Sequence, residues 1–509
     1  MTNSIFVSTA IPYVNSAPHV GFATELVLAD ALARYHRQRH DDVFFLTGSD
    51  ENSLKNVQAA EVESVSTAEL VHKNAGLFRA LKDPLNLSYN DFLRTSADAR
   101  HQPAVEKLWR ACRANGDIYK KSYGGLYCVG CEQFYQKGDL LEGLCPEHRR
   151  PPEWVEEENY FFRLSRYAHE LEGLITSGRL RVQPEPYRAE LLAFICSGVD
   201  DFSISRTRTR AHGWGVPVPD DEEQVVYVWF DALANYISAL GYGTEQSSFK
   251  KYWLDAADRC HVLGKGVTRF HGVYWPAILL SAGVPPPTRL CVHSYVTVEG
   301  KKIGKSLGNV IDPNVLVSEY GVDALRYFLL RHVRTHTDGD FSASRLQAAI
   351  NGELADQLGN LLRRIVSLVQ RHSGGILRPQ DTEGTELPDR ASRLEQDLAE
   401  AFDSFQPHLG LDAIWNCFRA INQYLSDQAP WTVARAQDKQ SRVQRILYTA
   451  GEALRISAGR LYPFLPETSQ AVLEQLGHKK HPIDLSLQWA TAQPCSPVQK
   501  GDLLFKKRT

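Results

Sequence analysis

No apolar run in this 509-residue sequence approaches the ~18 residues needed to cross a bilayer. Met1-Thr2-Asn3-Ser4 leads directly into an apolar stretch, without a basic n-region or a cleavable segment, so a cytoplasmic protein is expected. Charge of one sign is also missing. The formal net charge is -3, and any contact with nucleic acid must therefore come from a local basic face. Cysteine is sparse and odd in number, nine in all, which argues against a disulfide framework. Six of the nine (Cys112, Cys196, Cys260, Cys291, Cys417 and Cys495) are scattered, mostly among apolar neighbours, and read as small core residues. There is no internal repeat and no low-complexity tract. What remains is an ordinary globular composition, 43% hydrophobic and 23% charged. Its length suits roughly three or four domains.

Two stretches carry phosphate chemistry. Lys301-Lys302-Ile303-Gly304-Lys305-Ser306-Leu307-Gly308-Asn309 sets three lysines among glycines and a serine, after an expected strand over 290–298. Ammonium groups on mobile stems and a backbone that can approach closely suit a polyphosphate. Ala17-Pro18-His19-Val20-Gly21-Phe22 lies between an expected strand at 5–10 and an expected helix at 25–38. A strand, a tight turn and a helix N-terminus form a phosphate-receiving geometry.

The first part of the chain alternates strand and helix: strands at 5–10 and 43–47, helices at 25–38, 68–81 and 97–115. That order predicts a parallel sheet with helices on both faces, binding ligands beyond the carboxyl ends of its strands. Residues 116–225 break the alternation and read as an insertion with its own small core. The pattern resumes with strands at 225–230, 260–263 and 290–293. Beyond Asp312 the apolar spacing is helical through 466–476, predicting a helix bundle followed by a tail that packs back.

The insertion contains Cys128-Val129-Gly130-Cys131 and, thirteen residues later, Cys145-Pro146-Glu147-His148. This Cys3His set has the spacing of a structural zinc site, closed to substrate. His19, Asp50, Trp229, Asp231, His271 and Lys305 point to one pocket over the sheet, with Tyr13 and Tyr236 as further walls of an apolar slot.

These motifs resemble the class I aminoacyl-tRNA synthetases, and within them the methionyl-tRNA synthetase family. Ala17-Pro18-His19-Val20-Gly21-Phe22 is similar to the HIGH signature, and Lys302-Ile303-Gly304-Lys305-Ser306 to KMSKS. Thr9-Ala10-Ile11-Pro12-Tyr13-Val14-Asn15 and Tyr227-Val228-Trp229-Phe230-Asp231-Ala232 resemble the walls of the methionine site. The single zinc knuckle resembles the one-zinc form, and Asp427-Gln428-Ala429-Pro430-Trp431 the anticodon reader. The implied fold is α/β, a Rossmann-like parallel sheet with a zinc-containing insertion, followed by an all-α helix-bundle anticodon-binding domain. Its implied parts are the two halves of the catalytic domain at 1–115 and 226–295, the connective insertion at 116–225, the KMSKS and stem-contact region at 296–345, the bundle at 346–488 and the tail at 489–509.

The resemblance implies activation of L-methionine with ATP and Mg2+, then transfer to tRNA(Met), by a monomer holding one structural Zn2+ on Cys128, Cys131, Cys145 and His148. Asp50 would hold the amino group, and Ile11, Tyr13, Trp229, Ala232, Tyr236, Val267 and His271 the side chain. His19, Lys302, Lys305 and Ser306 would serve the phosphoryl transfer. Gly21 belongs with the ATP contacts, and Gly264 and Val296 would lie near ribose and adenine. Asn360, Arg364 and Trp431 would meet the anticodon. Four residues depart from the family pattern: Phe22 for a His, Gly304 for a Ser, Gly266 for an Asp that meets ribose, and Ser294 for a Gly beside adenine. Class I enzymes for Leu, Ile or Val would need a larger insertion for editing, and a cysteine enzyme would place zinc in the amino-acid pocket. A synthetase-like paralogue acting outside translation is the alternative reading.

Overall fold

The computed structural model describes residues 2–128, 133–135, 137–146, 149–244, 246–303, 308–382, 384–435, 439–491 and 496–508. Cys131, His148, Gly304, Lys305 and Ser306 lie outside the described residues. The central sheet contains β1 (Ser4–Thr9), β2 (Asp42–Ser49), β3 (Asp91–Arg94), β4 (Arg181–Gln183), β5 (Asp258–Gly264) and β6 (Arg289–His293). They run parallel in the order β3-β2-β1-β5-β6-β4. In β1 the pleat sends Ile5 and Val7 into one core and Phe6 into the other. A strand buried on both faces is what a parallel sheet covered by helices requires.

The order of strands positions the site. From β1 the chain builds outward through β2 and β3, whereas β5, β6 and β4 lie on the other side. A crevice therefore opens between the carboxyl ends of β1 and β5, the usual ligand position in such sheets. The Ala10 N–H donates to the Val262 carbonyl at 2.9 Å and keeps the two ends together.

The Val20–Gln38 helix covers one face and begins earlier than its apolar spacing suggests, because His19 caps it. Asp30 on this helix accepts from Arg34 at 2.8 Å and pairs with Arg326 of the Val322–Arg331 helix at 2.8 Å. Arg326 and Asp30 are both fully buried, and Arg326 also donates to the Phe464 carbonyl at 2.9 Å. One ion pair thus joins the sheet layer to the C-terminal helices. Burial opposes ionisation of Asp30, but the Arg34 and Arg326 guanidinium groups outweigh it and hold the carboxyl below its ordinary range.

Residues 225–230 do not form one strand. The strand is Asp221–Val226, and a helix starts at Val228, running to Leu233. The run of Val, Tyr and Trp has strand composition, but burial of Phe230 and Leu233 in the core overrides that preference. The expected 290–298 strand is two pieces: β6 ends at His293, and Val296–Val298 joins a separate sheet with Lys301–Lys302 and Gly339–Phe341. β4 comes from the stretch read as an insertion, yet it pairs with Arg289–Cys291 on the main sheet. Elsewhere in that stretch Ile118–Cys128, Gln133–Tyr135, Glu153–Phe162 and Phe202–Ser203 build an antiparallel sheet. Cys112, Cys260, Cys291 and Cys417 are core residues as expected, but Cys196 is exposed.

The C-terminal helices Asn360–His372, Leu387–Asp403, Pro407–Gln428 and Gln440–Arg460 pack around Leu361, Leu398, Trp415 and Leu447. The tail returns onto them: Val498 N–H donates to the Gly375 carbonyl at 2.8 Å, and Arg508 N–H to Asn351 Oδ1 at 2.8 Å.

Candidate functional site

At the crevice, His19 is the N-cap of the first helix, and its Nδ1 accepts from the Gly21 N–H at 3.1 Å. Burial pushes the imidazole below its ordinary pKa, so it is neutral near pH 7. With the Nδ1 lone pair occupied, the ring hydrogen sits on Nε2, which becomes a donor at a helix N-terminus that carries no acidic residue in its first turn. This combination suits an anion.

Residues 303 and 311, on either side of 304–307, both approach the same turn. Val20 N–H donates to the Ile311 carbonyl at 3.0 Å. Ile303 Cδ1 lies 3.5 Å from where a Cβ on Gly21 would stand. Lys302 Nζ sits 5.6 Å from the centre of the Tyr295 ring.

Glu25 also faces the crevice, and the sequence reading missed it. Its Oε2 accepts from Gly264 N–H at 3.0 Å and lies 3.0 Å from His293 Nε2. A charged residue in an otherwise apolar helix face was the available signal.

Beside this crevice is an aromatic pocket. Asp50, buried at the end of β2, donates its N–H to the Pro12 carbonyl at 2.8 Å and forms a parallel bridge with Tyr13. The Tyr13 ring meets Trp229 edge-on at 6.4 Å and carries Lys55 Nζ 4.6 Å from its centre. Trp229 stacks flat on Phe270 at 3.7 Å and meets His271 edge-on at 6.4 Å. Ala232 lies one helical turn beyond Trp229 and is buried. Ile11 closes the β1 end, its Cγ2 3.2 Å from where a Cβ on Gly48 would stand. Gly48 itself is required there, since that Cβ would be 2.2 Å from the Leu93 carbonyl oxygen.

The floor of the pocket has a fixed proton arrangement. His271 Nδ1 lies 2.9 Å from the Val267 carbonyl, which can only accept, so Nδ1 carries the hydrogen. Nε2 is then bare and accepts from the Tyr236 hydroxyl at 2.7 Å. Complete burial pushes the His271 pKa down to about 4 and raises that of Tyr236 well above its ordinary value. Asp231 is turned away from this pocket: it bonds His101 Nε2 at 2.8 Å and Asn52 Nδ2 at 2.8 Å, bracing the pocket wall against the end of β2. The constellation expected from sequence therefore loses Asp231 as a pocket group.

Residues 5–152 and 139–366 match the family described as tRNA synthetases class I (M), and residues 375–509 match the anticodon binding domain of methionyl tRNA ligase. The methionine--tRNA ligase of Thermotoga maritima is 40% identical over 99% of this chain and 80% of its own length. That of Mycobacterium tuberculosis is 41% identical over 93% of this chain and 92% of its own. The chain belongs to the methionyl-tRNA synthetase family. The fold agrees: the M. tuberculosis methionyl-tRNA synthetase in complex with methionyl-adenylate superposes with a TM-score of 0.91, at 39% identity, over 99% of this chain and 100% of that one.

Three further parts of this family member can be placed. In the helical region the Arg364 guanidinium lies 4.7 Å from the centre of the Trp431 ring, which is 37% exposed. Asn360 stands one turn before Arg364, where a π-helical segment, Ile350–Gly359, gives way to α-helix. Among the departures, Phe22 packs edge-on against Phe78 at 4.9 Å and so serves as core. Val296 is buried at the start of its short strand.

The knuckle is described in part. Cys128 ends the Ile118–Cys128 strand, and the Cys145 carbonyl accepts from the Arg149 N–H at 2.9 Å. Both cysteines are buried. Two buried thiols are of the donor type a structural zinc takes. Among the described residues no group of three or more candidate ligands comes together.

Proposed function

We infer that this member of the family activates L-methionine with ATP and transfers it to tRNA(Met). The observation that carries the reading is the crevice between β1 and β5. There the His19 turn is bonded to Ile311 and lies close to Ile303, on either side of the central lysine-segment residues, beside the aromatic pocket. Its support among relatives is the M. tuberculosis fold that holds methionyl-adenylate.

In the first step an oxygen of the methionine carboxylate attacks the α-phosphorus. The bond from that phosphorus to the bridging oxygen breaks, and pyrophosphate leaves. In the second step a terminal ribose hydroxyl of tRNA attacks the activated carbonyl, and AMP leaves. The protein's task is positioning and charge neutralisation. His19 donates from Nε2 to a non-bridging α-phosphoryl oxygen, with Gly21 allowing close approach. Lys302, Lys305 and Ser306 offset the charge that builds on the pyrophosphate. Asp50 holds the α-ammonium group. Ile11, Tyr13, Trp229, Ala232, Tyr236, Val267 and His271 enclose the thioether. Gly264 and Val296 line the nucleoside. Magnesium arriving with ATP supplies further neutralisation of the phosphates.

Residues 346–488 carry anticodon recognition, with Trp431 stacking on a base and Asn360 and Arg364 reading base edges. Zinc on Cys128, Cys131, Cys145 and His148 stabilises the small insertion. The testing experiment is exchange of pyrophosphate into ATP: methionine alone among amino acids should support it. Leucine-dependent exchange in its place overturns the assignment.

A further inference from the structure

The Asp231 carboxylate is turned away from the pocket, yet both its oxygens are engaged. Oδ1 accepts from His101 Nε2 at 2.8 Å, and Oδ2 accepts from Asn52 Nδ2 at 2.8 Å. His101 is anchored in turn. Its Nδ1 lies 3.1 Å from Ser238 Oγ, and that hydroxyl donates to the Ala234 carbonyl at 2.6 Å. His101, Asp231 and Ser238 are all fully buried. Such a polar chain costs desolvation that apolar packing would avoid, and what it adds is a defined geometry.

Three elements are fixed by this chain. His101 opens the His101–Ala114 helix, and Asp231 belongs to the Val228–Leu233 helix. Asn52 stands between the end of β2 and the Leu54–Glu63 helix. At about 100° per residue, Asp231 lies on the opposite side of its helix from Trp229, whereas Trp229 and Ala232 share a side. The chain therefore fastens the back of a helix whose front is a wall of the aromatic pocket. At its other end, Asn52 follows Asp50 by two residues, and the residue between them is held firmly. The Glu51 carboxylate accepts from Arg94 at 2.7 and 3.0 Å, and the Glu51 N–H donates to Thr95 Oγ1 at 2.8 Å. A shift at Asn52 thus passes to Asp50.

We propose that His101, Asp231 and Asn52 are positioning residues for the amino-acid substrate. They set the separation between Asp50 and the wall formed by Trp229 and Ala232, and through it the preference for a side chain of methionine's length. The proposal rests on reading the aromatic pocket as the methionine site.

The test is pyrophosphate exchange into ATP with methionine and with ethionine, which is one methylene longer. A methylene in a fixed pocket is worth about 10- to 200-fold, and the wild type should show that preference. Asn52→Ala, at a half-buried position, should lower the methionine-over-ethionine ratio of kcat/KM by about 3- to 10-fold, the worth of one hydrogen bond. KM for methionine should rise by a similar factor, with kcat and KM for ATP near wild type. The ratio does not depend on how much of the protein is folded, so a merely structural loss would not move it. His101→Leu should act in the same way from the far end of the chain. His101→Gln, which can still donate to Asp231, should recover most of the ratio. In the double variant, His101→Leu should add little to Asn52→Ala. A wild-type ratio in either single variant overturns the proposal, as do two effects that add in full. Where His101→Leu does not fold, the ratio in Asn52→Ala decides alone. If methionine supports no exchange in the wild type, it is the reading of the pocket that fails.

Discussion

The backbone N–H of Val20 donates to the carbonyl of Ile311 at 3.0 Å. Val20 is the first residue of the first helix, whose initial N–H groups have no partner within the helix. One of them is spent on the segment that follows the lysines. Ile303, on the near side of the same segment, also approaches this turn, its Cδ1 3.5 Å from where a Cβ on Gly21 would stand.

That packing can be weakened without touching a charged group. Ile303→Ala should lower kcat/KM for ATP in pyrophosphate exchange by about 10-fold, the order lost when a positioned group drifts from its place. KM for methionine and the thermal midpoint should stay near wild type. An unchanged kcat/KM shows that the contact does not guide the lysines.

The neutral His271 makes stability depend on pH. Its folded pKa of about 4 lies below the unfolded value of roughly 6.5. Between these values the unfolded chain binds more protons, so stability is complete above the upper value and falls as pH drops toward the lower. The integrated loss is about 3 kcal/mol. Denaturant titrations of wild type and His271→Gln from pH 7 to pH 4 should show a shallower decline in the variant.

Asp30 and Arg326 form the fully buried link between the sheet and the C-terminal helices. Arg326→Ala leaves a carboxylate buried with less compensation and should cost about 3–5 kcal/mol. Because the Asp30 carboxyl is held below its ordinary range, the link stabilises fully above that range and is lost as pH falls through the lowered value. Urea denaturation of both proteins near neutral pH measures the difference.

The anticodon role proposed for Arg364 and Trp431 is tested by comparing the two steps. Trp431→Ala removes a stacking surface worth about 1–3 kcal/mol per base. It should cut charging of tRNA(Met) by more than 10-fold while leaving methionine-dependent pyrophosphate exchange unchanged. Equal losses in both assays exclude an anticodon role.

Much of the architecture is written locally. Alternating strands and helices before Asn115, and helical spacing after Asp312, are properties of neighbouring residues, because a helix or strand places residues of like character at a short fixed period. The two phosphate signatures are short for the same reason: a turn needs its glycine and its histidine within a few positions.

Other features depended on residues far apart. Val228 to Phe230 have strand composition, yet packing of Phe230 and Leu233 against the core makes them helical. Three residues, Arg181–Gln183, are too few to show a period, and only the exposed edge of β6 makes them a strand. Asp231 looked like a pocket carboxylate until His101 and Asn52 took both its oxygens. Sequence alone thus determined the kind of fold and the chemistry of its two signature turns. Tertiary structure decided that the Val20 N–H meets the Ile311 carbonyl, and that the Tyr236 hydroxyl meets His271 on the pocket floor. Both are contacts across long stretches of chain, set by how layers pack and not by any local preference.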